Sequence, residues 1–313
     1  MTNKVTSLPP RKVSALIPPD SWDSHMHVTD PTYPLSPTAA YVPATHTLAS
    51  ALAFEATYTI RNLVLVQPSI YAADNACLVD ALRQLGPSRG RAVVGIDPLN
   101  PPALATLRAW HALGVRGVRL NLKSVGRTLD GDAAAALAAE LRAHAAAIAP
   151  LGTWVLQVYL ALHDVPLLEA AMAQLRAEGV RVKLCVDHFG HPELPQGGRV
   201  PEGAPAPDAY ALPGFASLVR LLDEGSTWVK VSGAYRIEGG DGRMPWVGAM
   251  ARELLRVRDG RRCVFATDWP HTRFEGVDVE PFVEKCVEWC EGDARRVERL
   301  FRANAEELWD VGR

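Results

Sequence analysis

Short runs of β-branched and aromatic residues recur along the chain, separated by Ala-, Leu-, Arg- and Glu-rich stretches of helical length. The runs are WDSHMHV (22–28), NLVLVQ (62–67), RAVVGI (91–96), VRGVRLN (115–121), WVLQVY (154–159), VRVKLCVDH (180–188), TWVKVSG (227–233) and CVFATDW (263–269). Helical patterns fill 75–85, 103–113, 132–148, 165–178, 213–224 and 246–257, with a C-terminal pair at 281–290 and 294–309. Gly114, Gly152, Gly179 and Gly225 each fall just past one of these helices, where the chain must turn through a positive φ. Strand and helix alternating eight times, from a first unit at 22–61, predicts an α/β fold, a single TIM-type (β/α)8 barrel.

Two stretches fall outside the repeat. Residues 1–20 read as a proline-containing lead-in to a barrel spanning 21–313. Residues 189–213 are too long and too rich in Pro and Gly for an ordinary connection. Leaving the C-terminal end of strand six, they form either an active-site flap or a surface excursion, and the flap is the preferred expectation.

Composition narrows the partners. Over 313 residues, 33 Lys and Arg nearly balance 35 Asp and Glu, so no global field favours nucleic acid or an anionic membrane. No apolar run reaches signal-peptide or membrane-span length, which predicts a cytoplasmic protein whose oligomeric state is open. Five cysteines at irregular spacing do not suggest a disulfide framework, and Cys286 and Cys290, one helical turn apart, read as core residues.

The chemistry of such a barrel stands at the C-terminal ends of its strands. Strand one ends in His25 and His27, which point the same way because side chains two apart share a strand face. Strand two ends in Gln67 and is followed by Ser69, Arg119 and Asn121 end strand four, and Gln157 and Tyr159 end strand five. Asp187 and His188 end strand six, Tyr235 and Arg236 follow strand seven, and Asp268, Trp269 and His271 close strand eight. Three histidines and an aspartate converging on one mouth read as an active site rather than as satisfied core residues.

The H-x-H of D-S-H-M-H-V, the His of V-D-H-F-G and the Asp of A-T-D-W-P-H together resemble the amidohydrolase superfamily. The nearest branch is that of the 2-pyrone-4,6-dicarboxylate lactonases and related sugar-lactone hydrolases. The resemblance implies hydrolysis of a lactone, with Asp268 as general base and His25, His27 and His188 holding the attacking water or polarising the carbonyl. It further implies a small anionic substrate bound by Ser69, Arg119, Tyr159 and Arg236, with Tyr41 and His271 as additional contacts. A family arginine expected shortly after Arg119 is missing, and only Lys123 or Arg127 in N-L-K-S-V-G-R stands nearby.

The metal question has two answers at this stage. His25, His27, His188 and Asp268 would make a mononuclear site for Zn²⁺ or another divalent ion. Binuclear members of the family it resembles add a bridging Lys or Glu from strand four and a His from strand five, where this chain has Arg119/Asn121 and Gln157/Tyr159, so the resemblance implies no two-metal centre. A guanidinium at Arg119 opposes a dication, so catalysis without a cofactor is the expectation. The rival readings are a metal-dependent decarboxylase or lactone isomerase on the same barrel, and a non-catalytic protein that binds a small acid.

Overall fold

The computed structural model describes residues 9–127, 129, 133–238 and 242–312. Residues 1–8 of the lead-in, and Asp132 at the expected start of the fourth helix, lie outside the described residues. Eight strands, β1 (Trp22–Met26), β2 (Asn62–Val66), β3 (Gly90–Val94), β4 (Val115–Asn121), β5 (Val155–Tyr159), β6 (Lys183–Val186), β7 (Thr227–Val231) and β8 (Cys263–Phe265), lie side by side in chain order. Every neighbouring pair is parallel. This is the (β/α)8 barrel that the alternating pattern predicts.

The helices between them are α1 (Leu48–Thr57), α2 (Ala76–Leu85), α3 (Leu104–Leu113), α4 (Ala133–Ile148), α5 (Val165–Ala177) and α6 (Phe215–Asp223). After β7 come a single turn, α7 (Ala234–Ile237), and then α8 (Pro245–Arg256). The C-terminal segment carries α9 (Glu280–Glu288), α10 (Ala294–Glu298) and α11 (Asn304–Leu308), the last two joined by a π-turn. Among the described residues no helix is long and apolar enough to cross a membrane. All five cysteines are buried and free, Cys286 and Cys290 in the outer core.

Strand alternation sorts the core into two layers. Leu63, Leu65, Val94, Leu156 and Val229 face outward under the helices, whereas Trp22, Val64, Val66, Val93, Val155, Cys185, Trp228 and Val264 pack inside the barrel. The inner layer is completed by Ala305, Leu308 and Trp309 of the C-terminal segment, which stop the barrel from below. Trp309 is fully buried, and its indole N–H donates to Ser24 Oγ at 3.2 Å. Burying one such ring contributes roughly 1.5–3 kcal/mol, and the apolar plug forces the polar interior groups to the opposite end.

The first and last strands are shorter than the sequence pattern suggests. β1 stops at Met26 and β8 at Phe265, because the seam between them is closed by a side chain rather than by a regular ladder. Asp23 Oδ1 accepts from His25 N at 2.9 Å, while its Oδ2 accepts from Thr267 N at 3.1 Å and from the Thr267 hydroxyl. Register between β1 and β2 shifts over Asp23–Met26, the signature of a bulge. His25 therefore turns into the barrel while Met26 packs in the outer layer. The seam then resumes through His27 N to Trp269 O at 2.9 Å and Asp268 N to His25 O at 3.0 Å.

Candidate active site

The seam presents the H-x-H pair to the mouth of the barrel. His27 Nδ1 lies 2.7 Å from the Val66 carbonyl, an acceptor only, so the ring proton sits on Nδ1 and Nε2 carries the lone pair. His25 Nε2 approaches that lone pair at 3.3 Å. On its other side, His25 Nδ1 is 3.1 Å from Lys230 Nζ. The same Nδ1 lies 3.4 Å from Asp187 Oδ1; with the Lys230 ammonium as the donor, Nδ1 accepts and His25 carries its proton on Nε2. The result is a directional chain, Lys230 to His25 to His27 to the Val66 carbonyl.

Lys230 is the residue that strand-end reasoning misses. It lies within β7, fully buried, with Nζ 2.7 Å from Gln157 Oε1, 3.3 Å from Asp187 Oδ1 and 5.3 Å from the centre of the Trp309 ring. The signal was present in T-W-V-K-V-S-G, where alternation puts the lysine on the same inner face as Trp228. Asp187 is its counter-ion. Gln157 Nε2 donates to Asp187 Oδ2 at 3.0 Å, and Arg119 reaches the same oxygen at 3.5 Å. Burial alone would raise the Asp187 carboxyl, but Lys230, His25 and Arg119 outweigh it and hold it well below the usual range.

Asp268 stands above this layer in a left-handed conformation, φ 65°, as does His188 at φ 51°. Such backbone at non-glycine residues is strained and concentrates at functional sites. Asp268 Oδ2 accepts from Arg236 Nε at 2.6 Å and from the Tyr235 hydroxyl at 2.7 Å. Its Oδ1 lies 3.8 Å from both His25 Nε2 and His188 Nε2. Burial pushes the carboxyl up, yet Arg236 and the imidazoles prevail and keep it ionised. Burial, joined by Arg119, brings His27 down to about 3, and burial with Lys230 drives His25 far below its usual value. Burial lowers His188 as well, so the site pairs one carboxylate with neutral imidazoles at physiological pH.

His188 is placed by a glycine. Its Nδ1 is 2.8 Å from Ser232 Oγ, and Gly233, at φ 64°, starts the short α7 that delivers Tyr235 and Arg236. A Cβ at Gly233 would sit 2.9 Å from His188 Nδ1. Gly233→Ala is therefore expected to displace the imidazole and lower kcat by about 10–100-fold, with a smaller change in KM. Steady-state kinetics on the purified variant checks this.

A cavity of about 430 Å³ opens above Asp268. Of the residues singled out from sequence, it brings together His27, His188, Asp268, Tyr41, Ser69, Arg119, Tyr159 and Arg236. His25 lies beneath, its ring packed against His27 and His188 at centroid distances of 4.9 and 4.7 Å. His271 is not among the lining residues, being packed against Tyr235 and Phe54. Of the two stand-ins for the family arginine, Lys123 lines the cavity, whereas Arg127 is ion-paired to Glu140 at 2.6 Å. His191 and Arg273, in loops where no periodicity marks a position, complete the wall. Within 189–213 only the head reaches the cavity, through His188's neighbour His191, whose Nδ1 is 2.9 Å from the Tyr159 hydroxyl. Farther along, Tyr210 donates to Glu253 on α8.

Among the described residues, two groups have the spacing of metal ligands, His25/His27/Asp268 and His25/Asp187/His188, with donor atoms within 4.8 Å of one another. The hydrogen bonds do not fit that role. With Lys230 donating to His25 Nδ1, His25 Nε2 carries a proton in place of the lone pair that the His25/His27/Asp268 group needs, and Asp187 and Asp268 are already ion-paired to Lys230 and Arg236.

A parallel eight-stranded barrel with an ionised carboxylate and imidazoles at its C-terminal mouth defines an enzyme barrel. A family model described as Amidohydrolase matches residues 22–311, and the chain belongs to that family. It is 30% identical to a 4-sulfomuconolactone hydrolase of Hydrogenophaga intermedia, over 85% of this chain and 80% of that protein. It is 29% identical to a 2-pyrone-4,6-dicarboxylate hydrolase of Comamonas testosteroni, over 84% of this chain and 80% of the other. Among solved structures, a protein of Pseudomonas putida assigned as a 2-pyrone-4,6-dicarboxylic acid hydrolase superposes with a TM-score of 0.75 at 29% identity, covering 94% of this chain and 98% of that one. These relatives are lactone hydrolases built on the amidohydrolase fold.

Proposed function

We propose that the protein hydrolyses the ring ester of a small anionic lactone, without a metal. One observation carries this reading: a single ionised carboxylate, Asp268, faces a cavity lined by three neutral imidazoles, His27, His188 and His191, and four cationic side chains, Arg119, Lys123, Arg236 and Arg273. The excess of positive charge calls for an anionic substrate. The buried carboxylate, with Oδ1 ion-paired to no Lys or Arg among the described residues, is placed to act as a proton acceptor.

In this account Asp268 Oδ1 removes a proton from water as the water oxygen attacks the lactone carbonyl. His188, its Nδ1 2.8 Å from Ser232 Oγ, offers Nε2–H to the carbonyl oxygen, and Arg119 adds positive charge beside the developing oxyanion. The intermediate collapses by breaking the bond between carbonyl carbon and ring oxygen, and Asp268 returns its proton to the departing oxygen. The product carries a new carboxylate, so one proton is released to solvent per turnover. His25 holds His27 and His188 from below rather than touching substrate. A substrate anion sharing Arg236 weakens that residue's hold on Asp268 and makes the carboxylate more basic at the moment it is needed.

The reading is supported by the two lactone-hydrolase relatives and by a metal-ligand set whose hydrogen bonds are already spent. Its test is a panel of pyrone-dicarboxylate, muconolactones and sugar-acid lactones, followed by loss of ultraviolet absorbance or proton release. Ring opening of an anionic member is expected. No response from any member would overturn the proposal in favour of a decarboxylase or isomerase.

A further inference from the structure

Arg119 and Arg236 are both engaged, Arg119 with Asp187 and the Gln67 carbonyl, Arg236 with Asp268. Arg127 is consumed by Glu140. Arg273 differs from all three. It lines the same cavity, its guanidinium has no carboxylate partner among the described residues, and its Cζ lies over the Tyr41 ring, 4.7 Å from the centroid. Its backbone is left-handed, φ 69°, in the loop that follows Asp268, and that conformation belongs to the turn carrying Arg273 to the mouth. Lys123, on the loop after β4, lines the cavity too, and its one ion pair among the described residues is with the exposed Glu193, at 3.6 Å.

We propose that Arg273, stacked on Tyr41 and joined by Lys123, forms a second oxyanion subsite that takes the place of the missing family arginine and selects lactones bearing two acid groups. Stacking on an aromatic face fixes the guanidinium plane, and the open N–H fork then matches a carboxylate or sulfonate. A ring acid held near Arg236 leaves its second acid to be neutralised at the outer wall, where Arg273 is the guanidinium with its fork free. The proposal rests on the lactone-hydrolase reading for the reaction, whereas the subsite itself concerns binding alone.

Unreactive flat acids separate the two. Calorimetric titration of the full-length protein with benzene-1,3-dicarboxylate, 3-sulfobenzoate and benzoate measures the subsite without turnover. The dicarboxylate or the sulfobenzoate is expected to bind about tenfold tighter than benzoate, and whichever is tighter identifies the second acid. Arg273→Met should remove about tenfold from the diacid and leave benzoate unchanged, with Arg273→Lys restoring only part because an ammonium lacks the fork. Equal losses on diacid and monoacid, no loss at all, or diacids binding no tighter than benzoate would overturn the subsite. If diacid binding follows Arg273 but no lactone is opened, the subsite stands and the hydrolase reading falls; if lactones are opened and diacid binding ignores Arg273, the reverse holds.

Discussion

Asp268→Asn is expected to lower kcat by about 10³-fold, the contribution of a positioned general base, while KM for an anionic lactone stays level or falls. The direction of the KM change is diagnostic. Asp268 Oδ2 holds Arg236 at 2.6 Å, so neutralising the carboxylate frees a partly buried guanidinium for the substrate's own acid group. A merely structural role would instead raise KM and lower the melting temperature along with kcat. Turnover that survives the substitution shows that another group takes the proton.

The second large effect is at Lys230. Removing one partner of a buried ion pair costs about 3–5 kcal/mol, so Lys230→Met should lose much of its thermal stability; Lys230→Gln, which keeps a donor, should lose less. The more informative consequence concerns His25. Without the ammonium, Nδ1–H can turn to Asp187 Oδ1, 3.4 Å away, leaving a lone pair on Nε2 opposite the lone pair of His27. The pair then has the donors that a metal requires. The variant should bind zinc more tightly than the parent, and the ¹⁵N shifts of His25 should report proton transfer from Nε2 to Nδ1. An unchanged His25 tautomer with no tighter zinc binding would show that Lys230 does not set this ring.

Much of the fold and the floor of the site was legible because both follow short periodicities. Strand alternation located all eight strands, and strand ends led to His25, His27, His188 and Asp268. What escaped has physical causes. The Asp23 carboxylate stands in for ladder bonds at the β1–β8 seam, so those strands end early and a bulge, invisible in WDSHMHV, decides that His25 faces inward. Lys230 was hidden because it sits inside a strand, where only the unusual burial of an ammonium sets it apart. Arg273 and His191 lie on loops whose course depends on left-handed residues that no pattern announces. The resemblance pointed to His271 as a ligand contact, yet its ring packs behind Tyr235.

The central claim is that an ionised aspartate among neutral imidazoles opens a lactone without a metal. Its most direct test is metal analysis of protein purified without chelator, combined with lactone turnover before and after chelation. The account predicts substoichiometric metal and an undiminished rate of ring opening. Stoichiometric zinc that leaves together with activity would contradict it.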